Sequence, residues 1–433
     1  MIKKITKFLL ISNKEELGQK SFYLGTFFLG SALPISLIFY LLSIFISLRI
    51  TKKNYFKDRY NLVFLIISSL MVFSNINSTI FNKESYTDTL NIWIYLFNWI
   101  PLFLFFSCLN IYLKTTLQRE RFSKFLLAGT VPILISCILQ SWFGVLGTFK
   151  TFYGLIVWYM DKIDYNDVSV SGLFSNRNYT AVWLSSILGF AIYQFKFSDV
   201  SRYKNFIKII LNFLVVYFTI YTFSRNALIG LFITLIIIFN KFKIVLPIFS
   251  FYLFLNIIFL KIPLVNDNTP DIIKRFFVSN IENFNNYNRV EIFSIAKKLI
   301  LENPLLGWGG STFSDSYSIN GGIQATQHTH NILLELAYNY GIPTSIILTS
   351  LVVFLLLKAS QIIYKDILNR NKLTINKCWL ISSIVVTISH LSDITYYDGK
   401  ISILIWILLS GLRCIIDEDY ENCNSKKLIY NKK

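Results

Sequence analysis

The sequence predicts an all-α, polytopic membrane protein with about 11–12 transmembrane helices and one large, partly helical outer loop. Hydrophobic residues make up 54% of the 433 positions and charged residues only 15%, whereas a soluble chain carries about 25% charge. The mean hydropathy is +0.52. The apolar residues come in unbroken blocks such as ALIGLFITLIIIF and ISILIWILLSGL, which have no polar face to turn towards water. A bilayer takes about 17–25 such residues per helix. The third observation is an alternation of charge between successive loops.

Apolar runs lie at 22–48, 60–81, 90–113, 122–144, 179–197, 206–223, 226–240, 244–262, 342–358, 378–396 and 401–414. Basic residues fill every second loop: Arg49 to Arg59, Lys114 to Lys124, Lys196 to Lys208, Lys241 with Lys243, Lys358 to Lys377, and the lysine-rich tail. The intervening loops are neutral, acidic or very short, as at 145–178 with Asp161, Asp164 and Asp167. The positive-inside rule then places all the basic loops on the cytoplasmic face of a multi-pass membrane protein. The chain divides into N-terminal transmembrane helices (1–144), an outer loop (145–178), central helices (179–262), a large periplasmic loop (263–329), C-terminal helices (330–416) and a cytoplasmic tail (417–433).

The beginning is irregular. The N-terminal tail is also basic, so an even number of crossings should precede loop 49–59, yet a straight helix over 22–48 is only about 40 Å long. Either Pro34 breaks it into a re-entrant hairpin or the tail lies outside. No small-residue cleavage site follows the basic start, so the first apolar segment reads as a retained anchor. The five cysteines are scattered with no CxxC, which indicates neither a disulfide framework nor a zinc site. The net charge of +18 sits in loops between spans, so nucleic acid is not a partner; the bilayer is.

The large loop is expected to be folded on the membrane surface, because RVEIFSIAKKLILENP repeats its apolar residues at helical spacing. Four polar spots interrupt the outer boundary: GLFSNRNYTA at 172–181, YTFSRNALIG at 221–230, NNYNRVEIFSIA at 285–296 and TQHTHNILLELAYNYGIP from Thr326. Arg225 lies between two adjacent runs; an arginine there either snorkels to headgroups or is placed for function. Arg177 and Arg289 singly read as solvated loop residues. Together the three put guanidinium forks, suited to phosphate oxygens, into one outer compartment. His328 and His330 are two of only three histidines. An HxH pair without HExxH or a carboxylate cluster is a weak metal signal. Imidazole suits general-base work near neutral pH, while the plainer alternative has His328 or Asn331 capping the helix that follows.

In their order, GLFSNRNYTA, SRNALIG, NRVEIFSIAKKLILENPLLGWGGSTF and HTHNILLELAYNYGIPTSI make residues 172–345 resemble the bacterial O-antigen ligase and O-antigen polymerase superfamily of GT-C type membrane glycosyltransferases. The resemblance implies His330 as the essential histidine, with Arg225 and Arg289 as the essential arginines. Substrate-binding roles then fall to Arg177, Asn178, His328, Asn331 and Glu335; SNRN departs from the more usual Pro-Asn form. It further implies transfer of a glycan from undecaprenyl pyrophosphate to an acceptor hydroxyl on the periplasmic side, with inversion and with neither metal nor cofactor. The acceptor is a lipid-linked repeat unit for a polymerase, or lipid A core or protein for a ligase. The motifs are shared; polymerase is taken here only because such genes are numerous. A chain-length regulator is a candidate partner. The reading from another class, a polysaccharide flippase or transporter, calls for midplane charges and related halves. The sequence shows no internal repeat, and only His390 and Asp393 near the end of a late span.

Overall fold

Each apolar run that falls within the described residues is helical. The computed structural model describes residues 14–51, 55–81, 89–160, 169–196, 202–239, 247, 289–322, 326–365 and 372–430. The expected run 244–262 apart from residue 247, the loop part 263–288 and the first 13 residues lie outside them.

The first run is two helices. Helix α1 (Lys14–Phe28) and helix α2 (Leu33–Thr51) are joined by the turn 29–32. They pack antiparallel: Ser36 Oγ donates to the Gly25 carbonyl at 2.7 Å, Tyr40 OH to Thr26 Oγ1 at 3.1 Å, and Ser43 Oγ to the Gly18 carbonyl at 3.0 Å. Hydropathy missed the first turns of α1 because KEELGQKS is polar. Pro34 sits in the first turn of α2, where its missing N–H costs nothing. The hairpin brings Lys14 and Thr51 to the same end, as the two basic segments require.

Helix α3 (Arg59–Phe81), the broken span α4 (Thr89–Ile94) and α5 (Ile100–Leu109), and helix α6 (Thr116–Ile138) follow. A capping box starts α6: Thr115 Oγ1 accepts from the Gln118 N–H and the Gln118 side chain accepts from the Thr115 N–H. Next come α7 (Arg177–Lys196), α8 (Arg202–Tyr221), α9 (Arg225–Phe239), α10 (Arg289–Glu302) and α11 (Phe313–Ile319). The chain closes with α12 (Ile332–Lys365), α13 (Ile375–Ser392) and α14 (Gly399–Tyr430). Among the described residues six helices are long and apolar enough to cross a membrane, and Asn205–Tyr221 and Arg225–Ile238 are shorter apolar helices. The 11–12 expected spans therefore include helices that fall short of the full length, α9 and the N-terminal α1 among them. Among the described residues the helical bundle also carries a two-stranded hairpin in the outer loop, β1 (Phe149–Thr151) with β2 (Ile156–Tyr159).

Contacts at the helix ends sort the loops as their charges predict. Arg119 at the start of α6 reaches Asn376 at the start of α13 and Glu418 late in α14. Gln194 at the end of α7 donates to Ser123, and Lys208 early in α8 donates to the Gln194 carbonyl. Asp58 pairs with Arg413. The basic loops within the described residues thus gather at one end. The other end holds the turn 29–32, whose Ser31 carbonyl accepts from Val157 of β2 at 3.1 Å, and the starts of α7, α9 and α12.

Candidate active site

The expected amphipathic segment is α10, which buries Ile292, Ala296, Leu299 and Ile300. These residues pack with Phe313 and Tyr317 of α11 and Ala337 and Tyr338 of α12 in a small core of their own. The NPLLGWG turn that follows docks on a break in α12. Gly341 there has φ 85° and ψ 160°, and Pro343 lacks an N–H, so the helix ladder is interrupted. The carbonyls this frees are taken by the loop: Trp308 N–H donates to Tyr338 at 2.8 Å and Gly309 N–H to Asn339 at 2.9 Å. In return Ile342 N–H donates to the Pro304 carbonyl at 2.8 Å. A Cβ at Gly341 would run into the Leu305 carbonyl, and one at Gly307 into the Tyr338 carbonyl. Both glycines have positive φ, the region that favours glycine. The two most specific sequence patches are thus two halves of one joint.

The histidine turn sits at the start of α12 and is organised by Glu335. This carboxylate is 1% exposed. Its Oε1 accepts from Tyr95 OH, Tyr397 OH and Asn339 Nδ2, each at 3.0 Å. Its Oε2 accepts from the Thr329 N–H at 3.0 Å and from Thr329 Oγ1 at 3.1 Å. So many donors are what a buried carboxylate needs to offset the loss of water. Glu335 therefore clamps Thr329, the residue between the two histidines. His328 stacks on Tyr397 with ring centroids 4.5 Å apart, and its Nδ1 lies 3.5 Å from both Glu335 Oε1 and Tyr95 OH. Asn331 caps the helix: its Oδ1 accepts from the N–H groups of Leu333 at 2.9 Å and Leu334 at 3.3 Å. Its amide donates to the Leu391 carbonyl at 2.9 Å.

Between these residues His330 is held at φ 53°, a left-handed conformation that costs a non-glycine residue about 1–3 kcal/mol and that collects at functional sites. Its Nδ1 lies 3.1 Å from Asp393 Oδ1. Asp393 Oδ2 accepts from Asn178 Nδ2 at 2.8 Å. Burial alone would raise the Asp393 carboxyl, but the hydrogen bond and charge of His330, the charge of Arg289 and the Asn178 amide outweigh it and hold it below the usual carboxylate range. It is ionised and accepts only, so the proton of their hydrogen bond lies on His330 Nδ1.

Asp393 is part of a hub. The Leu391 carbonyl takes Asn331, Ser392 Oγ donates to Asn226 Oδ1 at 2.5 Å, and Asp393 takes His330, Asn178 and the field of Arg289. All four polar patches of the sequence therefore meet at the end of α13. Arg177, Arg225 and Arg289 are each the first residue of a helix, α7, α9 and α10. Asn178 and Asn226 bind the hub while their neighbours Arg177, half-buried, and Arg225, exposed, stand beside it. Sequence reasoning missed Ser392 and Asn226 and gave Asp393 no part in this site. The available signal was that Asp393 is an acid closing an apolar run. It also missed Tyr95 and Tyr397, for which no pattern exists. Among the described residues no three His, Cys, Asp or Glu side chains gather to hold a metal.

Next to the histidine turn an apolar cavity of about 250 Å³ lies between α12, α13 and α14. Ile332 and Leu333, which follow the turn, and Leu391 of the hub form part of its wall, with Trp99 and Trp406 opposite.

Residues 210–349 match the family model described as O-antigen ligase. Over that third of its length the chain is similar to the O-antigen ligase and polymerase superfamily. The matched third holds Arg225, Arg289, the NPLLGWG joint and His330; Arg177, Asn178 and Asp393 lie outside it and reach the site through the fold. No curated protein matches the chain. The match, with the six apolar helices, supports a multi-pass membrane protein of the O-antigen ligase type.

Proposed function

We propose that the protein transfers glycan from undecaprenyl pyrophosphate to an acceptor hydroxyl on the periplasmic side of the inner membrane, as a polymerase of O-antigen or surface polysaccharide. The observation that carries the reading is the His330–Asp393 pair beside Arg289, Arg225 and an apolar cavity. The carboxylate keeps the proton on Nδ1, so Nε2 can take the proton of the attacking hydroxyl. Arg225 and Arg289 would hold the pyrophosphate and stabilise the charge it gains as its bond to the anomeric carbon breaks. Pyrophosphate leaves without protonation, so no general acid is needed. The cavity beside Leu391 suits the first units of the lipid chain, whose headgroup then lies at the arginines. His328, Asn331 and Glu335 act in this scheme by shaping the turn, and Asn178 by orienting Asp393; Arg177 adds a cation to the mouth.

A second reading, ligase, is favoured by the description of the matching family. Electrophoresis of surface polysaccharide from a deletion strain separates the two. Chains stopped at a single repeat unit indicate the polymerase. Loss of all attached polymer, with lipid-linked polymer accumulating, indicates the ligase. Unchanged polysaccharide and unchanged lipid-linked pools sink both.

A further inference from the structure

The outer-loop hairpin takes no part in the proposed reaction, yet it carries a large apolar surface. Between positions 142 and 158 the side chains of Trp142, Phe143, Leu146, Phe152, Tyr153 and Trp158 stand exposed. Lys150 is the single charged residue of that stretch. A loop made for water would carry about a quarter of its residues charged, and an exposed apolar patch of this kind marks a surface that meets something other than water.

The turn between β1 and β2 adds a second, independent observation. Phe152, Tyr153 and Gly154 have φ 51°, 54° and 89°. Consecutive positive φ values at a hairpin tip suit Asn-Gly or Asp-Gly, and a bulky side chain there is an outlier. The aromatic rings therefore do not serve the turn. Nor do they serve the core, since Phe152 is 69% exposed and Tyr153 wholly so. What they gain must come from outside the chain.

The hairpin is fastened at one level of the bundle. Val157 N–H donates to the Ser31 carbonyl at 3.1 Å, Gln140 Nε2 donates to the Met160 carbonyl at 2.7 Å, and Tyr159 OH donates to the Val145 carbonyl. Gln140 lies in the last turn of the membrane-length helix Thr116–Phe143, so the hairpin stands where that span leaves the bilayer. Val131 and Ile135 are exposed on the same span. Past them Trp142 packs on Tyr217 of α8 with ring centroids 6.1 Å apart, and the apolar surface runs on into the hairpin without a charged break. Tryptophan and tyrosine collect at this depth of a membrane.

We propose that the hairpin Phe149–Tyr159 binds the lipid surface at this end of the bundle, with Phe152 and Tyr153 seated among the upper acyl chains and Lys150 reaching the headgroup phosphates. A glycan is the less suitable occupant. Sugar hydroxyls call for polar side chains around the rings, and between Thr151 and Trp158 the sequence FYGLIV offers only the Tyr153 hydroxyl. The Thr151 hydroxyl already accepts from Trp158 Nε1 at 2.8 Å.

Spin labelling of the full-length protein in phospholipid liposomes tests this. Cys108, Cys137, Cys378 and Cys414 are buried, and buried thiols are inert, so a Cys423→Ser background directs a nitroxide to Tyr153→Cys. Phe152→Cys gives a second, independent position. At both, collision with oxygen, which concentrates among acyl chains, should exceed collision with a water-soluble nickel chelate severalfold, as it should for Ile135→Cys on the span itself. Nickel collision dominating at 152 and 153, with oxygen dominating at 135, overturns the proposal. So does a label at 153 that is mobile in liposomes and becomes immobilised when purified surface polysaccharide is added, which would make the hairpin a glycan platform.

Discussion

The two ends of the bundle both set guanidinium groups against carboxylates, but they treat them in opposite ways. At the basic-loop end Arg119 is fully buried. It donates to the carbonyls of Leu113 at 2.8 Å and Lys114 at 2.9 Å, to Asn376 at 3.0 Å and to Glu418. Every donor direction there is used to fasten α6, α13 and α14 together. At the other end the side chains of His330 and Asp393 keep 27% and 16% of their surface. A side chain whose hydrogen bonds are all spent on the fold is a fastener, while one left partly open can meet a substrate. Glu335 belongs with the fasteners although it sits at the reactive end, since all five of its bonds go to the protein itself.

The sharpest way to break this contrast is to remove its reactive member. His330→Ala should lower glycan transfer by about 10²–10⁴-fold, the usual loss for a general base, with unchanged membrane expression; full activity would end the mechanism. Arg289→Ala and Arg225→Ala should each cost about 10²–10³-fold, as loss of a group that stabilises leaving charge does, measured as turnover of lipid-linked glycan in isolated membranes. Asp393→Asn should cost about tenfold to a hundredfold, the range seen when a partner that fixes a histidine's second nitrogen is lost. Asp393→Asn should also leave the melting temperature nearly unchanged, which separates orientation from folding. Gly341→Ala should lower both activity and thermal stability, because its Cβ meets the Leu305 carbonyl in a strained backbone. Arg119→Met, at the fastening end, should lower the melting temperature by several degrees while transfer per folded molecule stays at the wild-type value. A selective loss of turnover in Arg119→Met would erase the distinction between the ends.

Much of the fold was legible because a bilayer imposes simple demands. Unbroken apolar runs announced the helices, and loop charge sorted their ends. The hairpin of α1 and α2 was half-legible, as charge balance demanded two passes but the polar start of α1 hid the first. The site was legible where it is local. HTHN and the arginines before each helix are visible as polar interruptions. What joins them is not local: Asp393 reaches His330 across 63 positions and Asn178 across 215. No periodicity or spacing encodes a contact of that kind. Tyr95 and Tyr397 clamp Glu335 by the same long-range route, and two tyrosines among 25 carry no mark of it.

The break at Gly341 has a mechanical consequence. The piece of α12 from Ile332 to Tyr340 carries the histidine turn at one extremity and the docked 304–309 loop at the other. It is about two and a half turns long, too short and too well bonded to bend. It therefore behaves as a lever arm, and whatever tilts the 304–309 loop must tilt the imidazole with it.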